Sequence, residues 1–389
     1  MKWEAYLEMK QLKFKRSWLA LALALVVVLA ACGKKEENNA GGSSPAASPS
    51  ASASESASAD PSADAGIEAL KGKRIAVVMR FNTGTFSAQY VDGVKKQVAK
   101  YGGEATILAS ENDLAKMAAN LDSAVNQKFD GILVDHGDAA ALTNGLNKAK
   151  EAGIPIVAFD SGLNSFEGIT NLAQNDQLLA EFTLEKLAEE AGGKGNIVKV
   201  WVAGFPPMES RQISYKAFTE KYPDLKEIAA FGDASNPQLD TQNRMEAVLK
   251  QYPNKGDITA VWAAWDEFAK GAANAIKQAG RDEIKVYGID LSDEDLKMIQ
   301  DPTSPWVASA AVDPTSIGTV QVRYLYQKLH GDKTDAEVQL EPVFVHRDAL
   351  PTDKVITTAE LSQYVEGWGS SDLGNTDYLK ALEQAVGAR

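Results

Sequence analysis

Asp160 and Asp290 each close an apolar run, Ile156-Val157-Ala158-Phe159 in one case and Val286-Tyr287-Gly288-Ile289 in the other. Upstream of each lies a helical stretch stopped by a glycine, Gly153 or Gly280, and before that another apolar run with an acidic end. The first unit opens on Gly131-Ile132-Leu133-Val134-Asp135 and the second on Ala260-Val261-Trp262-Ala263-Ala264-Trp265-Asp266. Such a repeat sets Asp160 and Asp290 at equivalent strand ends of two similar lobes, and facing lobes would aim both into one cleft. Carboxylates placed in this way can accept hydrogen bonds from hydroxyls or act as an acid–base pair on a glycoside. Other reactive groups are sparse. The three histidines, His136, His330 and His346, make no Ser-His-acid or metal-ligand pattern, and there is no Gly-x-x-x-x-Gly-Lys loop. His136, in a cleft loop, reads as a structural or ligand-contacting residue. No catalysis, cofactor or metal is expected.

The elements that must hold these residues alternate along the chain. From Arg74-Ile75-Ala76-Val77-Val78-Met79 onward, apolar runs suited to strands buried on both faces recur at 105–108, 131–134, 156–159, 196–202, 258–263, 284–289 and 307–311. Between them, Tyr90, Val91, Val94 and Val98 keep helical spacing, as do Leu121 and Val125. An α/β alternation implies doubly wound parallel sheets covered on both sides, with ligands bound beyond the carboxyl ends of the strands. About 320 residues follow position 66, more than one core usually serves, so two lobes are expected. A formal net charge of −13 argues against binding a nucleic-acid backbone, which needs clustered Lys and Arg.

Cys32 is the only cysteine, so no intramolecular disulfide is expected. Ahead of it stand Lys13, Lys15 and Arg16, an apolar run from Trp18, and the small residues Ala30-Ala31, which together read as a signal peptide over 1–31. The run is shorter than the roughly 20 residues a membrane span needs. The cysteine after small residues resembles the bacterial lipobox, which implies cleavage before Cys32 and a lipid on its thiol. Met9-Lys10 would make a conventional start if translation begins there. Residues 33–66 lack Leu, Ile, Val, Met and aromatic residues. Residues 32–66 thus read as a disordered Ser/Ala/Pro linker, with a reach of roughly 30 Å from a membrane anchor.

From Lys73 to about Val345 the chain resembles the type I periplasmic-binding fold, in particular the ribose-binding branch of ABC-transporter solute receptors. The resemblance rests on Asp92-Gly93-Val94, Gly153-Ile154-Pro155-Ile156-Val157-Ala158-Phe159-Asp160 and Ala263-Ala264-Trp265-Asp266-Glu267-Phe268-Ala269-Lys270-Gly271-Ala272. Val286-Tyr287-Gly288-Ile289-Asp290 and Ile317-Gly318-Thr319-Val320 extend it. It implies two lobes joined by three crossovers, near Asn171–Gln174, Ala311–Pro314 and Val338–Phe344. The first lobe would then hold 67–171 plus 312–340, and the second 172–311 plus 341–389. Helical patches around Leu361 and Tyr378–Val386 are expected on the second lobe.

The resemblance also implies site residues. Asp160 and Asp290 match the family's sugar-hydroxyl aspartates, although Ser161 stands where many relatives carry an arginine. Phe86 matches an aromatic that stacks on a sugar face, and Ser87 replaces a second one. Trp265 stands where the family often has Asn, and could restore a stacking surface. Asp266 follows it and could equally cap a helix. Arg211, one turn before the family's arginine position at Ser214, could reach the same cleft. Arg80 and Asn82 lie in a loop that carries polar contacts in relatives, and Asp135 ends a strand at the cleft edge. Trp201, Phe205 and Trp306 could line the pocket or cover the second lobe.

The function so implied is a monomeric, lipid-anchored receptor outside the cytoplasm that captures a sugar or polyol and delivers it to an ABC permease. A receptor presenting its ligand to a membrane histidine kinase is the alternative, and a glycoside-processing enzyme fits the fold less well. The export signal and the lack of a DNA-binding module set the chain apart from regulators of the lac-repressor type.

Overall fold

The computed structural model describes residues 66–387, so the signal, the Cys32 anchor and nearly all of the linker lie outside the described residues. The first lobe is built from β1 (Arg74–Met79), α1 (Gly84–Lys100), β2 (Glu104–Ala109), α2 (Leu114–Asn126), β3 (Gly131–Asp135), α3 (Ala139–Glu151), β4 (Ile156–Phe159) and β5 (Thr170–Gln174). The chain then crosses to the second lobe. There it forms α4 (Asp176–Glu190), β6 (Gly195–Val200), α5 (Pro206–Lys221), β7 (Leu225–Phe231), α6 (Pro237–Gln251) and β8 (Ala260–Ala263). α7 (Asp266–Gln278), β9 (Lys285–Ile289), α8 (Asp293–Gln300) and β10 (Trp306–Ala311) complete that run. α9 (Pro314–His330) and β11 (Glu337–Leu340) return to the first lobe, and β12 (Val343–His346) crosses once more.

The strand orders are β11-β5-β4-β3-β1-β2 and β12-β10-β9-β8-β6-β7. Every pairing is parallel except β10 with β12, which is antiparallel at a sheet edge. The apolar runs became strands because helices cover both faces: β3, β4 and β8 are buried at every residue. β7 carries no such run, since it is a sheet-edge strand buried only at Leu225. The chain crosses at 174–176, 311–314 and 340–343; the first crossing follows Asn171–Gln174, which is itself part of β5.

Helices α1 and α9 pack almost backbone to backbone across the first lobe. A Cβ at Gly93 would overlap the Thr315 carbonyl oxygen, and one at Gly318 would lie 2.5 Å from the Tyr90 carbonyl oxygen. This crossing gives Asp92-Gly93-Val94 and Ile317-Gly318-Thr319 a physical reason for their glycines. One expectation is corrected. The terminal helix α10 (Asp377–Gly387) packs on the first lobe, where Leu379 and Leu382 join the core and Gln97 Nε2 donates to Glu383 Oε1 at 2.7 Å. The patch around Leu361 does enter the second-lobe core, with Ile356, Val365 and Trp368 beside it. Trp306 is likewise buried in that core and Trp201 packs against it, so neither lines the cleft.

Candidate functional site

The two sheets turn their carboxyl ends toward each other. Asp160 follows β4 and Asp290 follows β9, and both have left-handed backbones, with φ of 44° and 73°. Each donates its N–H to a carbonyl on the neighbouring strand at 2.9 Å, Asp160 to Leu172 and Asp290 to Ala310. This shared turn is the structural form of the sequence repeat, and it aims the two carboxylates into one cleft from opposite lobes.

Gln174, where β5 leaves the first lobe, joins them. Its Nε2 lies 3.3 Å from Asp160 Oδ2 and 3.3 Å from Asp290 Oδ1. Both contacts are longer than usual N–H···O hydrogen bonds and correspondingly weak. Among the described residues, the buried Gln174 Oε1 has no hydrogen-bond partner. Arg211, on α5, is buried and supports Asp290 from behind. Its Nε donates to Asp176 Oδ1 at 2.8 Å, and its Nη1 donates to the Ala264 carbonyl at 2.6 Å and reaches Asp290 Oδ2 at 3.4 Å. Burial opposes its charge, but Asp290, Asp176 and Asp160 outweigh burial and raise its pKa.

His136 follows β3 with φ of 53°, and its Nδ1 lies 2.8 Å from Asp135 Oδ1. Burial alone would lower its pKa, but the charge and hydrogen bond of Asp135, with Asp160 and Asp290 beyond, raise it to about 9. Burial and the charge of Asp176 push Asp160 up to about 7, against the pull of His136, Arg211 and Gln174. Both values exceed the ordinary ones of 6.5 and 3.8. The closed protein therefore holds both protons more tightly than the unfolded chain does, and stability falls as they are lost. The contribution of Asp160 is lost as pH rises from near 3.8 through about 7, and that of His136 as pH rises from 6.5 through about 9. Thermal melts of the ligand-free protein should fall across the upper window, and His136→Asn should flatten that part of the profile. An unchanged slope in the variant would remove His136 from this role.

The aromatic part of the site is centred on Phe81, which the sequence did not single out. Its ring lies 5.9 Å from Trp265, 5.6 Å from Phe205 and 5.7 Å from His136, centre to centre. Phe86, Trp265, Asp135, Asp160, Arg211 and Asp290 all line the cavity between the lobes. So does Asp266, which is fully buried and lies 3.5 Å from Lys270, while Trp265 takes the helix-cap position. Two expected residues do not line it. Arg80 stays behind the aromatic rings, donating to Asn112 Oδ1 at 2.9 Å with its guanidinium 4.3 Å from the Phe205 centroid, and Asn82 is exposed. Ser161, in the place of the family's arginine, accepts from Gly137 N at 2.7 Å and donates to the Phe159 carbonyl at 2.9 Å, stitching two cleft loops together. Gln174 carried no sequence signal beyond its place at a crossover. The cavity leaves about 60 Å³ open to water centres, several times the room one water needs.

Two doubly wound lobes that close over hydrogen-bonding and aromatic side chains define a hinged receptor for a small solute. The chain belongs to the periplasmic binding protein domain family, whose model matches residues 75–333, in line with the resemblance drawn from the sequence. It is 33% identical to a sugar ABC transporter protein of Yersinia enterocolitica subsp. enterocolitica 8081, with a TM-score of 0.79 over 85% of this chain and 99% of that one. It is also similar to the 5-methylthioribose transporter solute-binding protein of Thermotoga lettingae TMO, solved with 5-methylthioribose. There the identity is 32% and the TM-score 0.76, over 81% of this chain and 98% of that one. Among curated proteins, the ribose import binding protein RbsB of Escherichia coli (strain K12) is 25% identical over 274 residues, 70% of this chain and 90% of that protein.

Proposed function

We propose that this protein is the solute receptor of an ABC importer, working outside the cytoplasm on a lipid anchor at Cys32 and closing over a small sugar or polyol. The observation that carries the reading is the Asp160–Gln174–Asp290 chain. Two carboxylates from opposite lobes and one amide with a free acceptor meet at a single point. Hydroxyls that both donate and accept can replace the long bonds of that chain, and the rings of Trp265, Phe81 and Phe86 suit the C–H faces of a sugar. Asp135 and Asp266 add acceptors, and Arg211 holds Asp290 in place. The relatives named for ribose import and for 5-methylthioribose support a small carbohydrate rather than a peptide or an ion.

A thermal-shift screen of the soluble domain against pentoses, hexoses and polyols tests the ligand class. A true ligand at 100 times its dissociation constant should stabilise the protein by about 2.7 kcal/mol. No stabilisation by any neutral carbohydrate would overturn the reading. The anchor is tested by fractionation of the full-length protein, which should remain with membranes under high salt.

A further inference from the structure

After β12 the chain crosses between the lobes a fourth time. Ile356, Leu361, Val365 and Trp368 lie in the second-lobe core, and the Trp368 indole N–H donates to the Thr358 carbonyl at 2.8 Å. Only Gly369 and Ser370 separate Trp368 from the first-lobe attachment. There Arg323 Nη1, on α9, donates to the Ser371 carbonyl at 2.9 Å, and Gln327 Nε2 donates to the Gly374 carbonyl at 2.9 Å. Leu379 and Leu382 of α10 then enter the first-lobe core. Three peptide steps reach at most about 11 Å, so this strap caps how far its two anchors can part. The same segment meets the first lobe again on α1. Gln89 Nε2 donates to Thr358 Oγ1 at 2.7 Å, and Gln89 Oε1 accepts from Asp293 N at 2.9 Å. Asp293 Oδ1 in turn accepts from Thr358 N and Oγ1, both at 2.7 Å. One turn nearer the start of α1, Thr85 Oγ1 reaches Glu294 Oε2. Gln89, Asp293 and Thr358 all lie outside the cavity wall.

We propose that residues 356–387 form a clasp that limits opening of the cleft and favours closure before any solute enters. The strap at Gly369-Ser370 bounds the separation of the lobes. The bonds of Gln89 to Thr358 and Asp293 exist only while the lobes are apposed, so they stabilise the closed form alone. Solute then meets a cleft that is closed for part of the time, and less of its binding free energy goes into bringing the lobes together. The clasp acts on the hinge, whichever solute the cavity takes.

The test is made without solute, so its outcome is independent of the sugar reading. Spin labels at Ala119→Cys and Asn243→Cys report lobe separation by pulsed dipolar spectroscopy in the Cys32→Ser protein, which has no other cysteine. Both positions are exposed, on the helices that follow the edge strands β2 and β7, at the side of the sheets away from the hinge. Gln89→Ala removes two hydrogen bonds of the closed form and should cut the closed-to-open ratio about tenfold. Ten Gly/Ser residues inserted between Ser370 and Ser371 keep both anchors but slacken the strap, and should extend the longest label distances beyond the parent's range. An unchanged ratio in Gln89→Ala, or an unchanged open limit after the insertion, would overturn the clasp. Should the insertion prevent folding, Gln89→Ala decides alone, because Gln89 belongs to neither core.

Discussion

Replacing Arg211 with methionine should destabilise the second lobe by about 3–5 kcal/mol, the usual cost of stranding buried charges by removing their partner. Arg211 is 2% exposed and holds Asp176 and Asp290, themselves only 6% and 5% exposed. All three residues and Ala264 belong to the second lobe, so the loss should appear whether the cleft is open or shut. Methionine keeps most of the volume, so the lost ion pairs dominate. Sugar affinity should fall as well, because Asp290 would lose the group that holds it in place. Urea denaturation of the ligand-free protein reads the first effect through a lower midpoint at unchanged slope. A variant as stable as the parent would show that Arg211 is dispensable to the fold and acts only on ligand.

Lys270→Met should be comparably damaging, for a different reason. The Lys270 ammonium is 1% exposed and lies 2.7 Å from Glu267, 3.3 Å from Glu294, 3.3 Å from Asp295 and 3.5 Å from Asp266. One cation therefore serves four carboxylates, and these raise its pKa despite burial. Without it, Asp266 and Asp295, both fully buried, would face each other uncompensated. Burial already raises the pKa of each, and losing Lys270 would raise both further. A raised carboxylate contributes stability at low pH that is lost as pH climbs. The variant should therefore lose about 3–5 kcal/mol near neutrality and recover much of it on acidification toward pH 5. A deficit independent of pH would mean that packing, rather than charge, explains the loss. The cluster also meets the first lobe, because Thr85 Oγ1 donates to Glu294 Oε2 at 3.1 Å, so closure should weaken along with stability.

Most of the architecture was legible because parallel strands covered on both faces are apolar nearly throughout: β4 and β8 are so at every position, and β1 and β3 are polar only at their ends, at Arg74 and Asp135. β7 escaped because a sheet-edge strand needs no such run. The placement of α10 was misread because an amphipathic helix records that it packs, not against which lobe. In the site, Asp160 and Asp290 were readable from the repeat alone. Gln174 was not, since its role arises only where the chain crosses between lobes. Arg80 and Asn82 follow from the resemblance, which points to their loop but not to which of its residues face the cavity, and those are Phe81 and Thr83. Loops lack the periodicity that tells inward from outward in a strand or helix.

The left-handed turns at His136, Asp160 and Asp290 have one more consequence. Such a backbone strains most residues by roughly 1–2 kcal/mol, less for Asp, and glycine adopts it freely. A glycine at any of the three would relax the chain while deleting a side chain that lines the cavity. At His136 and Asp290 the ion pairs with Asp135 and Arg211 oppose that gain, but at Asp160, whose buried carboxylate costs stability as pH rises, heat resistance and cargo recognition compete at one codon. Directed evolution rewarding only survival at high temperature would be drawn to that codon and give up one of the carboxylates that line the cavity.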